Sequence, residues 1–236
     1  MRNLLRRWFA PRPRLSAQQA ERLASWLALP EIARTAPFDQ TRFVVVDVET
    51  TGLNLTTDTL ISIGAVAVVN GRIALSDSFS VVLQQRESSR KENILIHGIS
   101  GSAQREGAPP ADALLAFLEY LGKSPLVAFH VAFDETMIKR AVREYLGIPF
   151  RHPWLDLAYV LPALSPELAR SHRALDDWSV RFAIRNDDRH NAAADALATA
   201  ELLLVAIAQA RRIHDSDSYD GLRRLERAFR NSQENI

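Results

Sequence analysis

Asp47 and Glu49 stand two positions apart at the end of an apolar, β-branched run in TRFVVVDVETTGL. Alternate residues of a strand project to one side, so the two carboxylates leave the strand end together. Desolvated like charges resist joint ionisation unless a cation or basic group compensates them. A divalent ion resolves the conflict: hard ions such as Mg²⁺ take carboxylate oxygens, keep several waters and leave room for a substrate phosphate. Taken alone, the pair equally begins a loop that runs to Gly52. Further acids weigh on that choice. Asp134 follows the strand-like LVAF at 126–129 and opens an amphipathic helix, at a second strand end where open α/β sheets place their ligands. By itself it reads as a helix cap. In HNAAAD, His190 immediately precedes a helix and Asp195 lies in its opening turns, a separation that lets both flank one cavity.

The elements that must position these residues follow from periodicity. Residues 16–29 predict an amphipathic helix with Ser16 as its cap and Leu23, Trp26 and Leu27 on one face, after which Pro30 and Pro37 bracket a linker. The run ending in Asp47 has the composition of a central strand buried on both faces. Residues 60–69 and 72–83 predict two more strands joined by Asn70-Gly71, a pair that favours a tight hairpin, so three neighbouring antiparallel strands are expected. A helix over 109–121, the strand at 126–129 and a helix over 134–146 with Met137, Ile138, Ala141, Val142 and Tyr145 inward imply crossovers. The fold class is therefore α/β, a mixed sheet covered by helices. Beyond Pro153 the pattern is mostly helical, ending in a long helix from about Asn191 to Arg212 with Leu197, Ala200, Leu204 and Ile207 along one stripe. One more helix is expected near Tyr219 to Phe229. The expected division is a basic arm and amphipathic helix over 1–40, a catalytic domain over 41–212 and a polar tail over 213–236.

Composition narrows the chemistry. The chain has 236 residues, 47% of them hydrophobic and 24% charged, which suits one sizeable core plus extensions. It has no cysteine, so disulfides, thiolate nucleophiles and cysteine zinc sites are excluded and a metal must be held by oxygen or imidazole. No apolar run approaches the roughly 20 residues that cross a bilayer, and the start lacks the apolar centre of a secretory signal, so a cytoplasmic protein without a membrane partner is expected. The net charge of +1 is unevenly spread: Arg2, Arg6, Arg7, Arg12 and Arg14 precede the first acid, Glu21, and are interleaved with Trp8 and Phe9. Such an arm attracts phosphates or an acidic surface, or is simply a solvated extension or a transit peptide.

Together DVETTGL, AFHVAFD and HNAAADALATAELLL, in that order, resemble the DEDD exonucleases, in particular the DEDDh (DnaQ-like) branch and its epsilon-type proofreading members associated with bacterial DNA polymerase III. The resemblance covers roughly residues 42–207, and IHGIS at 96–100 is similar to the family's HGI element. It implies a ribonuclease H-like fold and two divalent cations, Mg²⁺ or Mn²⁺. Asp47, Glu49 and Asp195 would hold one; Asp47 and, through water, Asp134 would hold the other. It further implies that His190 takes the proton from the attacking water, a task suited to a side chain that titrates near neutrality. Thr50, Thr51, Gly52 and Leu53 would grip the terminal nucleotide, Leu53 against its base, with His97 nearby. The tyrosine-containing branch does not fit, since Asn191 stands four residues before Asp195. Asp156 reads as a structural cap.

Two departures matter. His130 occupies the family's usual asparagine position and is not expected to be catalytic. His172 and Asp177 repeat the spacing of His190 and Asp195, but SHRALDDWSVRFAI reads as the preceding helix and its exit. His152 and His214 have no motif around them, and Phe117, Tyr120, Trp154 and Trp178 read as core. The expected activity is a 3′→5′ exonuclease releasing nucleoside 5′-monophosphates from single-stranded DNA ends, in proofreading or repair. An RNA or short-oligonucleotide exonuclease has the same acids. A polymerase-associated binding subunit is the alternative of another class. Oligomeric state is open.

Overall fold

The computed structural model describes residues 13–234 of the chain, so the basic arm from Arg2 to Arg12 lies outside the described residues. Strands β1 (Phe43–Thr50), β2 (Leu60–Val69) and β3 (Arg72–Val82) form an antiparallel meander, and β4 (Leu126–Ala128) and β5 (Trp154–Asp156) extend it in parallel, giving the order β3-β2-β1-β4-β5. The expected mixed α/β sheet is thus observed. Asn70 and Gly71 both take positive φ, 53° and 67°, as a two-residue hairpin loop requires.

β1 is buried on both faces, and the two-residue period divides it. Val44, Val46 and Val48 enter one core cluster with Ile63, Leu114 and Ile138, whereas Phe43 and Val45 enter the other with Val66, Val127 and Leu203. Asp47 and Glu49 continue the second series, so their side chains leave on the face covered by the long helix that carries Asp195.

Nine α-helices among the described residues surround the sheet. α1 (Ala17–Leu27) has Ser16 as its N-cap in a capping box with Gln19. It buries Leu23 and Trp26, but Leu27, expected on the same face, is 52% exposed at the last residue of the helix. After α2 (Lys91–His97) and α3 (Gly101–Arg105), α4 (Pro110–Leu121) meets α1 through the Arg22–Glu119 ion pair. α5 (Val131–Leu146) starts three residues before its expected position, because His130 turns the chain with φ 65° directly after β4. Asp134 therefore lies within the first turn and is not the cap. Tyr145, expected to face inward, is only half-buried.

α6 (Leu157–Leu164) is capped by Asp156, whose carboxylate accepts from the Ala158 N–H at 3.1 Å, the structural role expected of it. α7 (Leu175–Arg181) leads into α8 (Ala192–His214). By length and apolarity α8 could cross a membrane, yet it is packed as a core helix on β1 and β2. Its buried stripe is Ala196, Ala200, Leu203, Ile207 and Ala210; Leu197 and Leu204 are half-buried at its edge. Alanines in that stripe let the helix approach the sheet closely. α9 (Tyr219–Glu234) runs five residues beyond the expected end at Phe229 and buries Tyr219 and Leu222 in the same core as α6.

Candidate active site

The carboxyl end of β1 opens on a cleft of about 580 Å³. Asp47, Glu49 and Asp195 each bring an oxygen within 4.8 Å of the others, Asp195 buried and the two strand acids half-buried. The reach of Asp195 depends on Gly64. Gly64 is the cross-strand partner of Asp47, and a Cβ there would stand 2.3 Å from the Ala193 nitrogen and 2.4 Å from the Ala192 carbonyl carbon. Only a glycine lets the first turn of α8 press on the strand and lower Asp195 beside Asp47. The sequence reading did not single out Gly64, although a glycine inside the apolar run LISIGAVAVV is the signal of such an approach.

Three donors hold Asp195. Its Oδ1 accepts from Asn186 Nδ2 at 2.5 Å and pairs with Arg189, and its Oδ2 accepts from the His190 N–H at 3.1 Å. Arg189 also pairs with Asp176 at 2.6 Å. Neither Asn186 nor Arg189 was identified from sequence, where a polar residue in the loop RNDDRHN carries no distance information. His190 is exposed at the cleft with φ 63°, which turns the loop into the Asn191 cap of α8.

Asp134 is 4% exposed and lies outside both the three-acid cluster and the cleft lining, but close enough to Asp47 to raise it electrostatically. Burial, with Asp134, Asp195 and Glu49 adding, lifts Asp47 well above the usual carboxylate range, Arg189 opposing. Burial and then Asp195 push Glu49 up to about 8, again against Arg189. Asp134 is likewise pushed up to about 8 by burial, against the backbone N–H groups of Asp134 and Val48. Carboxylates so disposed favour either protons or a cation. The three clustered acids, Asp47, Glu49 and Asp195, offer hard oxygens at one opening, which fits a divalent ion of the Mg²⁺ or Mn²⁺ type.

Thr50, Gly52, Leu53 and His97 line the cleft; Thr51 does not. Thr51 instead fastens the loop that follows β1. Its Oγ1 donates to Asp58 Oδ1 at 3.0 Å, and its carbonyl accepts from Asn93 Nδ2. Asp58 also accepts from the Asn54 N–H at 2.7 Å, and a Cβ on Gly52 would stand 2.6 Å from Asp58 Oδ2. Leu53 projects, 85% exposed. His97 is buried, its Nδ1 accepting from the Ile99 N–H at 3.0 Å, and burial lowers its pKa. Apolar walls come from Phe129 and Phe133.

The rival pair lies elsewhere. Asp177 accepts from the Arg173 and Ala174 N–H groups, both at 2.8 Å, as the capping acid of α7, and His172 stands 5.2 Å from the Trp178 ring. The structure brings Asp195, not Asp177, to Asp47 and Glu49. His152 is a satisfied histidine: its Nε2 donates to the Ser124 carbonyl at 2.6 Å, and burial lowers its pKa to about 4.

A central strand ending in clustered acids above an open cleft is an arrangement able to hold a divalent ion. Residues 44–203 match the exonuclease (RNase_T) family, and the chain belongs to that family. It is 32% identical over 177 residues to the PolC-type DNA polymerase III of Clostridium perfringens, a match covering 73% of this chain and 12% of that protein. It is 33% identical over 172 residues to a DNA polymerase III subunit epsilon-like protein of Rhodobacter capsulatus, covering 71% and 24% respectively. The chain thus spans only a small part of these curated relatives. Its fold is similar to that of E. coli Exonuclease I solved with an oligonucleotide, with a TM-score of 0.63 at 17% identity over 75% of this chain and 43% of that one. Exonuclease X in complex with 5′ overhanging duplex DNA gives a TM-score of 0.58 at 17% identity over 76% of this chain and 99% of that one. The DnaQ-like resemblance of the three motifs is borne out.

Proposed function

We propose that the chain removes nucleotides from the 3′ ends of single-stranded DNA, releasing nucleoside 5′-monophosphates in the course of proofreading or repair. The observation that carries this reading is the convergence of Asp47, Glu49 and Asp195 within 4.8 Å at the floor of an open cleft. Relatives named as DNA polymerase III proteins and fold neighbours solved with DNA support the choice of DNA.

In this reading Asp47, Glu49 and Asp195 would hold one divalent cation, and Asp47 with Asp134 would hold a second. Bound there, Mg²⁺ or Mn²⁺ ions supply positive charge that lowers the pKa of a water and offsets charge on the departing 3′ oxygen. The protein's own groups do the rest. Asn186, Arg189 and the His190 N–H fix the Asp195 carboxylate beside Asp47 and Glu49. His190, at the cleft mouth, accepts the proton of the attacking water and passes it to solvent. Leu53 packs against the terminal base, and Phe129 and Phe133 supply apolar surface that any base can use. A cytoplasmic setting is part of the proposal.

The purified chain with Mg²⁺ or Mn²⁺ is expected to shorten a 5′-labelled single strand one nucleotide at a time, and chelation is expected to stop it. Matched RNA and mispaired duplex substrates rank the alternatives. Binding of a single strand without hydrolysis under any divalent ion would count for the binding-subunit reading.

A further inference from the structure

Among the described residues, two cations line the cleft, and they differ in how they are held. Arg189 is committed to Asp195 and Asp176. Arg173 is exposed and its guanidinium has no carboxylate partner among the described residues, yet the backbone on both sides of its Cα is held. The Arg173 N–H donates to Asp177 Oδ2 at 2.8 Å, and its carbonyl accepts from His130 Nε2 at 3.1 Å. A fixed backbone with a free cationic head is the arrangement of a residue that waits for an anion.

His130 completes the clamp from the opposite wall. Its φ of 65° is one that asparagine tolerates and most residues avoid. Its N–H is tied to Asp156 Oδ1 at 3.0 Å, and its ring meets Phe129 edge-on at 4.9 Å. Since a carbonyl only accepts, the His130 proton sits on Nε2. An asparagine here would keep the turn but be too short for this bridge across the cleft.

We infer, on the reading of the cleft as an exonuclease centre, that Arg173 grips a backbone phosphate upstream of the scissile one, and that His130 is the positioning residue that holds it there. The acids at the floor take the scissile phosphate through bound cations, whereas the Arg173 head is exposed at the mouth, where the departing strand must pass. Arg173 and His130 would then distinguish a strand from a single nucleotide, a selectivity that the acids cannot supply.

Thymidine 5′-(p-nitrophenyl phosphate) has a scissile phosphate and no upstream one, so it separates the two contacts. Arg173→Gln is expected to lower kcat/KM on a single-stranded DNA oligonucleotide relative to this ester by about tenfold, chiefly through KM, the scale of a lost charge-assisted phosphate contact. The slope of log KM against log salt should fall by about 0.7, one phosphate's share on a single strand. His130→Asn should reproduce part of the relative loss and add little to Arg173→Gln in the double variant. An unchanged oligonucleotide-to-ester ratio in Arg173→Gln overturns the phosphate contact, and full additivity of the two substitutions overturns the clamp. Wild-type protein that hydrolyses neither substrate removes the exonuclease reading, and this inference with it; wild-type activity with an unchanged ratio removes this inference alone.

Discussion

Two groups of buried and half-buried acids sit at the same end of the sheet. At the end of β1, Asp47, Glu49, Asp134 and Asp195 have one guanidinium, Arg189, among them. At the end of β5, Asp156 and Glu226 are each about 2% exposed or less and have two: Arg230 bridges both, 2.9 Å to Asp156 and 3.1 Å to Glu226, and Arg223 pairs with Glu226. Burial raises Asp156, but Arg230 and the N–H groups of Ala158 and His130 oppose it. The second group also lines a cavity, of about 740 Å³, but its charge is answered within the chain, and it fastens α9 to the sheet. The first has more carboxyl groups than internal cations beside an open cleft, so without a divalent ion it retains protons. Burial alone does not mark a functional acid; lack of an internal counter-charge does.

The strongest way to break this comparison is to neutralise one acid in each group. Asp47→Asn is expected to lower nuclease activity by on the order of 10³-fold while raising thermal stability in the absence of divalent ions, since it relieves repulsion. Glu226→Gln is expected to destabilise by roughly 2–4 kcal/mol, because two partly buried guanidinium groups lose a partner, with activity falling only as folded protein is lost. Equal destabilisation by both in thermal melts would show that the groups do not differ. His190→Ala should then reduce kcat by about 10²-fold or more at unchanged melting temperature, the scale of general base catalysis. Gly64→Ala tests the approach of α8: the added Cβ should cost about 1–3 kcal/mol and reduce activity by displacing Asp195.

A smaller effect comes from pH. Glu49 and Asp134 are each pushed up to about 8, so between their ordinary range near 4 and about 8 the folded chain retains protons that the unfolded chain has lost. Without divalent ions, stability should therefore fall as pH rises through that window. Mg²⁺ or Mn²⁺ should raise the melting temperature by more at pH 8 than at pH 5.5, because at the lower pH the ion must displace protons. The same gain at both values would indicate that ions bind elsewhere. Asp47→Asn should diminish the gain; Glu226→Gln should not.

The sequence by itself determined four of the five strands and most helices, because their signals are local: the two-residue period of β1, Asn70-Gly71 at the hairpin and the Ser16 cap need no distant partner, whereas β5, three residues in a stretch that reads as mostly helical, has too short a period to show. It also named Asp47, Glu49, Asp134, Asp195 and His190, since three short motifs in order carry those positions. The start of α5 was misplaced because a left-handed residue at 130, not a propensity change, begins the helix. What only the tertiary structure decided is which groups share a charge. Gly64 opposite Asp47, Arg189 on Asp195, Arg230 between Asp156 and Glu226, and Arg173 clamped by His130 join residues from separate elements. Electrostatic meaning depends on distance and burial, and neither is encoded in a residue's neighbours along the chain.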